Sequence, residues 1–135
     1  MEYKIAGEFY INALRDIIPI TEPSDNEQEE TINNLKENCY SNLAACQLKL
    51  EQYDRVVRNC TKSLDLNDKN IKCLYRRALG YLECRNRDSG QHDMKRIREL
   101  EPNNTILKEL ETKLSVLNKQ ADKRDAAMMK SFLLQ

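Results

Sequence analysis

Apolar positions recur at three- and four-residue steps along almost the whole chain, the spacing that puts them on one face of an α-helix. Over residues 2–18 the pattern runs through Tyr3, Ala6, Tyr10, Ala13, Leu14 and Ile17, and Pro19 and Pro23 stop it. The following I-T-E-P-S-D-N-E-Q-E is polar, acidic and without apolar period, so 19–29 reads as a connecting loop. From about Glu30 the helical pattern resumes through Ile32, Leu35, Cys39, Leu43, Cys46 and Leu50. After Glu51-Gln52 a further helix runs from Tyr53 to about Leu66, with Val56, Val57, Cys60, Ser63 and Leu64 on its apolar side. Residues 71–84, carrying Leu74, Ala78, Tyr81 and Leu82, and 88–100, carrying Met94, Ile97 and Leu100, form the next pair. The last stretch, 105–135, is one long pattern through Ile106, Leu107, Leu110, Leu114, Leu117, Ala121, Met128 and Phe132, with Asn104 or Thr105 as its N-cap. A helix of ~30 residues is about 45 Å long, so its far end must overhang so short an array.

Sliding 37–70 onto 71–104 aligns Tyr40 with Leu74, Ala44 with Ala78, Cys60 with Met94, and D-L-N-D-K-N with E-L-E-P-N-N, without a gap. A 34-residue period carried by two helices is the signature of tetratricopeptide repeats. With 37 and 71 as position 1, the small residue expected at position 8 is Ala44 and Ala78, the aromatic at position 17 is Tyr53, and the proline at position 32 is Pro102. Two positions depart from the pattern. Position 20, usually alanine, is Val56 and Gly90, and position 17 of the later unit is Arg87. The helix over 88–100 is thereby the weakest, since an interior glycine costs about 1 kcal/mol relative to alanine. Residues 2–18 fit the second helix of a preceding repeat, with Tyr3, Ala6 and Tyr10 at positions 17, 20 and 24. Its first helix would precede Met1, which leaves a half-repeat with an uncovered apolar face. The expected architecture is an all-α helical-hairpin array, an α-solenoid, in one domain over 1–135, closed by a long C-terminal capping helix.

Composition agrees, with 33% charged and 40% hydrophobic residues and only three Gly and three Pro. Twenty-two basic side chains cancel 22 acidic ones, so no overall field draws the chain to nucleic acid or an anionic membrane. No apolar run approaches the ~20 residues that span a bilayer, and no signal-peptide core opens the chain. The cytoplasm, with the nucleus as a second compartment, is the expected location. Cysteines 39, 46, 60, 73 and 84 form no C-x-x-C pair and have one histidine for company, which argues against a zinc site and for reduced, mostly buried thiols. There is no Gly-rich phosphate loop, His92 has no Ser or Cys partner in a known motif, and the carboxylates are scattered. No catalytic role, metal or cofactor is expected; the chain reads as a binding module.

Candidate binding chemistry gathers at N-I-K-C-L-Y-R-R-A-L-G, residues 70–80. Lys72 and Arg76 are four apart, on one helix face, and Asn42 lies 34 positions before Arg76. Residues one repeat apart project from adjacent helices packed roughly 8–10 Å from one another, so Asn42 and Arg76 should be neighbours. An amide, a guanidinium fork and a compact ammonium suit the carboxylates of an extended peptide. The alternative is that both cations are solvated helix charges. Arg77 is expected to lie along the packing surface rather than to bind ligand.

The stretches C-Y-S-N-L-A-A-C-Q-L-K-L-E-Q-Y and N-I-K-C-L-Y-R-R-A resemble the tetratricopeptide domain of heat-shock-protein co-chaperones, most closely the large FK506-binding-protein immunophilins and their aryl-hydrocarbon-receptor-interacting relatives. In that family a two-carboxylate clamp grips the acidic C-terminal peptide of Hsp90 or Hsp70. The resemblance implies peptide-binding roles for Asn42, at position 6 of the second repeat, and for Lys72 and Arg76, at positions 2 and 6 of the third. The family's other clamp pair belongs to the first helix of the first repeat, which has no counterpart here. Lys4, in Y-K-I-A-G-E, falls on the second helix and does not take that role. The resemblance also implies that a peptidyl-prolyl isomerase domain could lie upstream. The competing reading is a scaffold that forms a homodimer, or binds another protein, through its N-terminal helix and the apolar tail M-M-K-S-F-L-L.

Overall fold

The computed structural model describes residues 1–19 and 25–134, and in it the periodic stretches form six helices. These are α1 (Glu2–Ile17), α2 (Asn26–Lys49), α3 (Tyr53–Leu66), α4 (Ile71–Glu83), α5 (Arg87–Leu100) and α6 (Ile106–Leu133). Each packs against the next; in addition α2, α4 and α6 touch in a row, whereas α3 and α5 meet only their neighbours in sequence. The even-numbered helices therefore make one layer of the stack and α3 and α5 the other.

The 34-residue register is written in the backbone hydrogen bonds. At the end of α2 the amide of Gln52 reaches the carbonyl of Gln47 and that of Glu51 reaches Leu48; at the end of α4 Asn86 reaches Tyr81 and Arg85 reaches Leu82. Each is a Schellman closure, which needs a left-handed residue just past the helix. Glu51, at φ 57°, and Arg85, at φ 62°, occupy that place although neither is glycine. The next turns match as well: Asn70 bonds back to Asn67 as Asn104 does to Glu101.

The loop expected over 19–29 is shorter than the polar composition suggested. Residues 20–24 lie outside the described part, and 26–29 already belong to α2. Asp25 explains this: its Oδ1 accepts from the amide of Gln28 at 2.8 Å, and Glu27 and Glu29 sit in the first turn, where the helix dipole favours acids. A capped helix start needs no apolar period. Leu35, expected on the apolar side, is 48% exposed, because the buried residues of α2 begin only at Ser41. At the start of α6 Thr105 stands in the N-cap place, but the side chain that accepts the Ile106 amide is Asn104, at 2.9 Å.

The core runs from α2 to α6 through Ala44, Val56, Cys60, Leu74, Ala78, Leu82, Ile97 and Leu110. Ala44 and Ala78, one repeat apart, are both completely buried, and their small side chains let the helices approach. Gly90 serves the same end. A Cβ there would lie 2.9 Å from Leu82 Cδ2 and 3.1 Å from its Cγ, so the glycine that weakens α5 in isolation is what admits α4 against it. Asn86 caps this helix by accepting from the Ser89 amide at 3.3 Å.

Arg77 lies in the helix packing, as expected, and an ion pair holds it there. Its Nε and Nη2 donate to the two carboxylate oxygens of Asp93 at 2.8 and 2.7 Å, its Nη1 donates to Thr61 Oγ1 at 3.3 Å, and its guanidinium stands 5.8 Å from the Tyr81 ring centre. Asp93 is only 1% exposed, so a buried fork-to-fork ion pair bolts α4 to α5, with α3 joined through Thr61. Beyond this core the chain is open. Residues 122–133 of α6 and Leu134 beyond it are exposed throughout, and Ile5 and Phe9 of α1 are 62% and 68% exposed.

Removing one half of a buried pair strands the other, so Asp93→Ala is expected to destabilise the fold by about 3 kcal/mol, while Asp93→Leu combined with Arg77→Met costs less than Asp93→Ala alone. Urea unfolding of the three proteins measures this. Glu51→Gly has the opposite sign: a left-handed cap favours glycine, and the midpoint should rise by an amount equivalent to about 0.5–1 kcal/mol.

Candidate functional site: the face of α2 and α4

Two polar ties set the register of α4 on α2. Glu37 Oε1 accepts from Asn67 Nδ2 at 3.0 Å and from Asn70 Nδ2 at 2.9 Å, and Asn70 in turn caps α4 by accepting the Cys73 amide at 3.1 Å. Two turns along, Arg76 Nη1 donates to both the carbonyl and the hydroxyl of Ser41, at 2.8 and 2.9 Å. Ser41 is 6% exposed and immediately precedes Asn42 in the chain, so this contact anchors the arginine on the turn of α2 that carries Asn42.

The three residues singled out by the repeat register differ in setting. Asn42 and Lys72 are exposed, and Arg76 is half-buried. Among the described residues Asn42 and Lys72 have no side-chain hydrogen bond or ion pair, and Arg76 uses only Nη1, leaving Nε and Nη2 to spare. Arg76 is thus neither a free solvated charge nor a fully committed one: a single nitrogen anchors it while the rest of the fork stays open. Lys4 is exposed on α1.

Beneath this face lies a knot of small polar side chains that the sequence pattern does not announce. Cys73, Cys60 and Ser63 are completely buried, and Ser63 donates to the Glu37 carbonyl at 3.1 Å. Cys60, with Ser41, Ser63 and the charge of Arg76, holds the Cys73 thiol below its ordinary range against the opposing pull of burial. Cys60, coupled to Cys73 and equally buried, is pushed up. All five cysteines are free; Cys46, Cys60 and Cys73 are buried, Cys39 is half-buried and Cys84 is exposed. His92 is exposed as well, and among the described residues no group of His, Cys, Asp and Glu is arranged to hold a metal. None of the described helices is long and apolar enough to cross a membrane.

Sequence reasoning missed Ser41 and Glu37, the two residues that place the arginine. Their signal was weak: a serine in an apolar helix stretch, and an acid at repeat position 1. Both earn meaning only when the register is drawn.

No family model matches the chain. It is similar to the Hsp70/Hsp90 co-chaperone CNS1 of Saccharomyces cerevisiae, 39% identical over 56 residues that make up 42% of this chain and 14% of that protein. A solved structure of Cns1 superposes with a TM-score of 0.70 at 26% identity, covering 96% of this chain and 37% of that one. Human peptidyl-prolyl cis-trans isomerase FKBP4 is 31% identical over 83 residues, 62% of this chain and 18% of the enzyme. The C-terminal TPR-containing domain of an FK506-binding protein from Plasmodium falciparum has a TM-score of 0.78 at 23% identity, over 92% of this chain and 81% of that domain, a likeness of fold. The chain spans only 14 and 18% of the length of CNS1 and FKBP4.

Arg76→Ala should cost stability of about 1 kcal/mol, since it removes a charged donor from the buried Ser41, whereas Lys72→Ala should change it by less than about 0.5 kcal/mol. Thermal unfolding of the two variants, side by side, reads the difference.

Proposed function

We propose that this tetratricopeptide-repeat domain of the co-chaperone type holds the acidic C-terminal peptide of an Hsp90- or Hsp70-class chaperone, with Asn42, Lys72 and Arg76 as polar contacts. The observation that carries the reading is the half-committed state of Arg76, tied by one nitrogen to Ser41 beside Asn42, with Lys72 one turn earlier. A guanidinium so placed loses little side-chain freedom on meeting a carboxylate, and the cost of ordering it is already met in the fold. The similarity to an Hsp70/Hsp90 co-chaperone supports the choice of partner. The cytoplasm is the compartment in which such a partner would be met.

On this reading the domain itself is a non-catalytic binding module. The match to FKBP4 falls on 18% of that enzyme, and any isomerase activity would belong to residues outside this chain.

A second reading, association through exposed apolar helix faces, rests on Ile5 and Phe9 of α1 and on Met128, Phe132, Leu133 and Leu134 of α6, all more than 60% exposed. It predicts a concentration-dependent mass in light scattering, where peptide capture does not require one.

Calorimetry with a peptide ending in E-E-V-D tests the leading reading. Lys72→Ala and Arg76→Ala are each expected to weaken binding about tenfold, and amidation of the peptide's C-terminus by at least as much. Affinity indifferent to both substitutions would refute the assignment.

A further inference from the structure

At the α4–α5 turn the second helical unit departs from the first in charge. Where the earlier unit has Glu51 and Tyr53, this one has Arg85 and Arg87. Both arginines line a cleft of about 500 Å³ between that turn and the middle of α6, with Leu117 as its apolar wall, the buried Leu82 behind it, and Lys123 and Arg124 from α6.

Four cationic side chains therefore meet at one concavity in a chain whose net charge is zero. The carboxylate among its lining residues, Glu83, is ion-paired with Lys113. Two of the nearby acids face elsewhere: Asp88 lines the hollow of Tyr81 and His92, and Asp125 sits with Met128, Met129 and Phe132. Arg87 Nη2 donates to the Leu117 carbonyl at 3.4 Å, which steers its guanidinium across the cleft and leaves its other nitrogens to spare. Arg85, Lys123 and Arg124 make no ion pair among the described residues. Like charges so gathered repel one another, and an anion relieves that repulsion.

We propose that this cleft binds a phosphate monoester whose carbon skeleton rests on Leu117. A single carboxylate offers two oxygens and one charge, too little for three guanidinium forks and an ammonium. A phosphate monoester brings nearly two charges and three acceptor oxygens, and matches arginine geometry bidentately. The cleft has the volume of a small-molecule site and an apolar wall suited to an aryl or alkyl shoulder. A phosphorylated side chain on a partner segment and a free phosphorylated small molecule present the same group. The site owes nothing to Asn42, Lys72 or Arg76.

The test is a titration of isotope-labelled protein with phenyl phosphate, followed by amide chemical shifts at constant ionic strength. Saturable shifts confined to residues 82–88 and 117–124 are expected, in the millimolar range normal for so small a ligand. Arg85→Gly, which suits the left-handed φ of 62° and so does not endanger the fold, and Arg124→Ala should each weaken binding about tenfold. Lys72→Ala and Arg58→Ala should leave it unchanged. Binding should also weaken below pH ~6, where the ester takes up its second proton. A short peptide carrying phosphotyrosine separates the sources: tighter binding than phenyl phosphate assigns the site to a partner segment, equal binding to a small molecule. Shifts that do not saturate, that spread over the lysines and arginines of the whole surface, or that persist unchanged in both cleft variants would overturn the proposal.

Discussion

The contact of α2 with α4 is the constraint from which the rest of this structure follows. Its apolar part is small-residue packing, with Ala44, Ala78 and Cys73 fully buried; its polar part is Glu37 holding two asparagines at one end and Ser41 holding Arg76 further along. Apolar burial supplies most of the free energy but is non-directional, so it leaves the helices free to slide. The hydrogen bonds do not. Each Glu37 and Ser41 contact is met at one register only, and a slip of one turn would strand the buried Ser41 hydroxyl, at a cost of about 1–3 kcal/mol, and lose the Glu37 bonds. Register, in turn, is what brings a residue of one repeat beside its counterpart in the next.

Helix α4 carries three cations, Lys72, Arg76 and Arg77, and they meet three different fates. Arg77 points into the α4–α5 seam, where a dry carboxylate takes both arms of its fork. Arg76 stands at the seam between α2 and α4, half in and half out, with the neutral Ser41 as its hydrogen-bond acceptor. Lys72 faces outward, with no side-chain partner among the described residues. The side chains are chemically similar, so the difference comes from helical phase. Arg76 and Arg77 are separated by about 100° of rotation, enough to move a guanidinium from a groove to a core.

That sorting marks what could be read without coordinates. Helix number, order and most boundaries follow from apolar periodicity, because burial of one stripe per helix is what drives the stack. The repeat length follows from Ala44 and Ala78, since close helix approach tolerates no larger side chain there. What escaped were features whose meaning depends on a distant partner. Asp93 looks like any surface acid until α5 turns it toward Arg77; Glu51 and Arg85 look unsuited to left-handed caps, and the Schellman bonds on both sides hold them there nonetheless. Composition misled at Asn26–Glu29, where a polar run is helical because Asp25 caps it. Of the candidate site, Asn42, Lys72 and Arg76 were legible from register, but Ser41, the anchor that gives Arg76 its orientation, was not.

The same logic of phase and spacing bears on how a chain of zero net charge can still present electrostatic features. Arg76 and Arg85 are nine positions apart along α4 and its cap, roughly 13 Å at the helical rise. The Debye length at physiological salt is about 8 Å, so charges exposed at the two ends are screened from each other. Each group of cations therefore acts on its own surroundings rather than as part of one positive face. With Asp93 neutralising Arg77, the cations left to α4 are Lys72 and Arg76 in its first half, while those that line the cleft against α6, Arg85 and Arg87, belong to the turn beyond it and to α5.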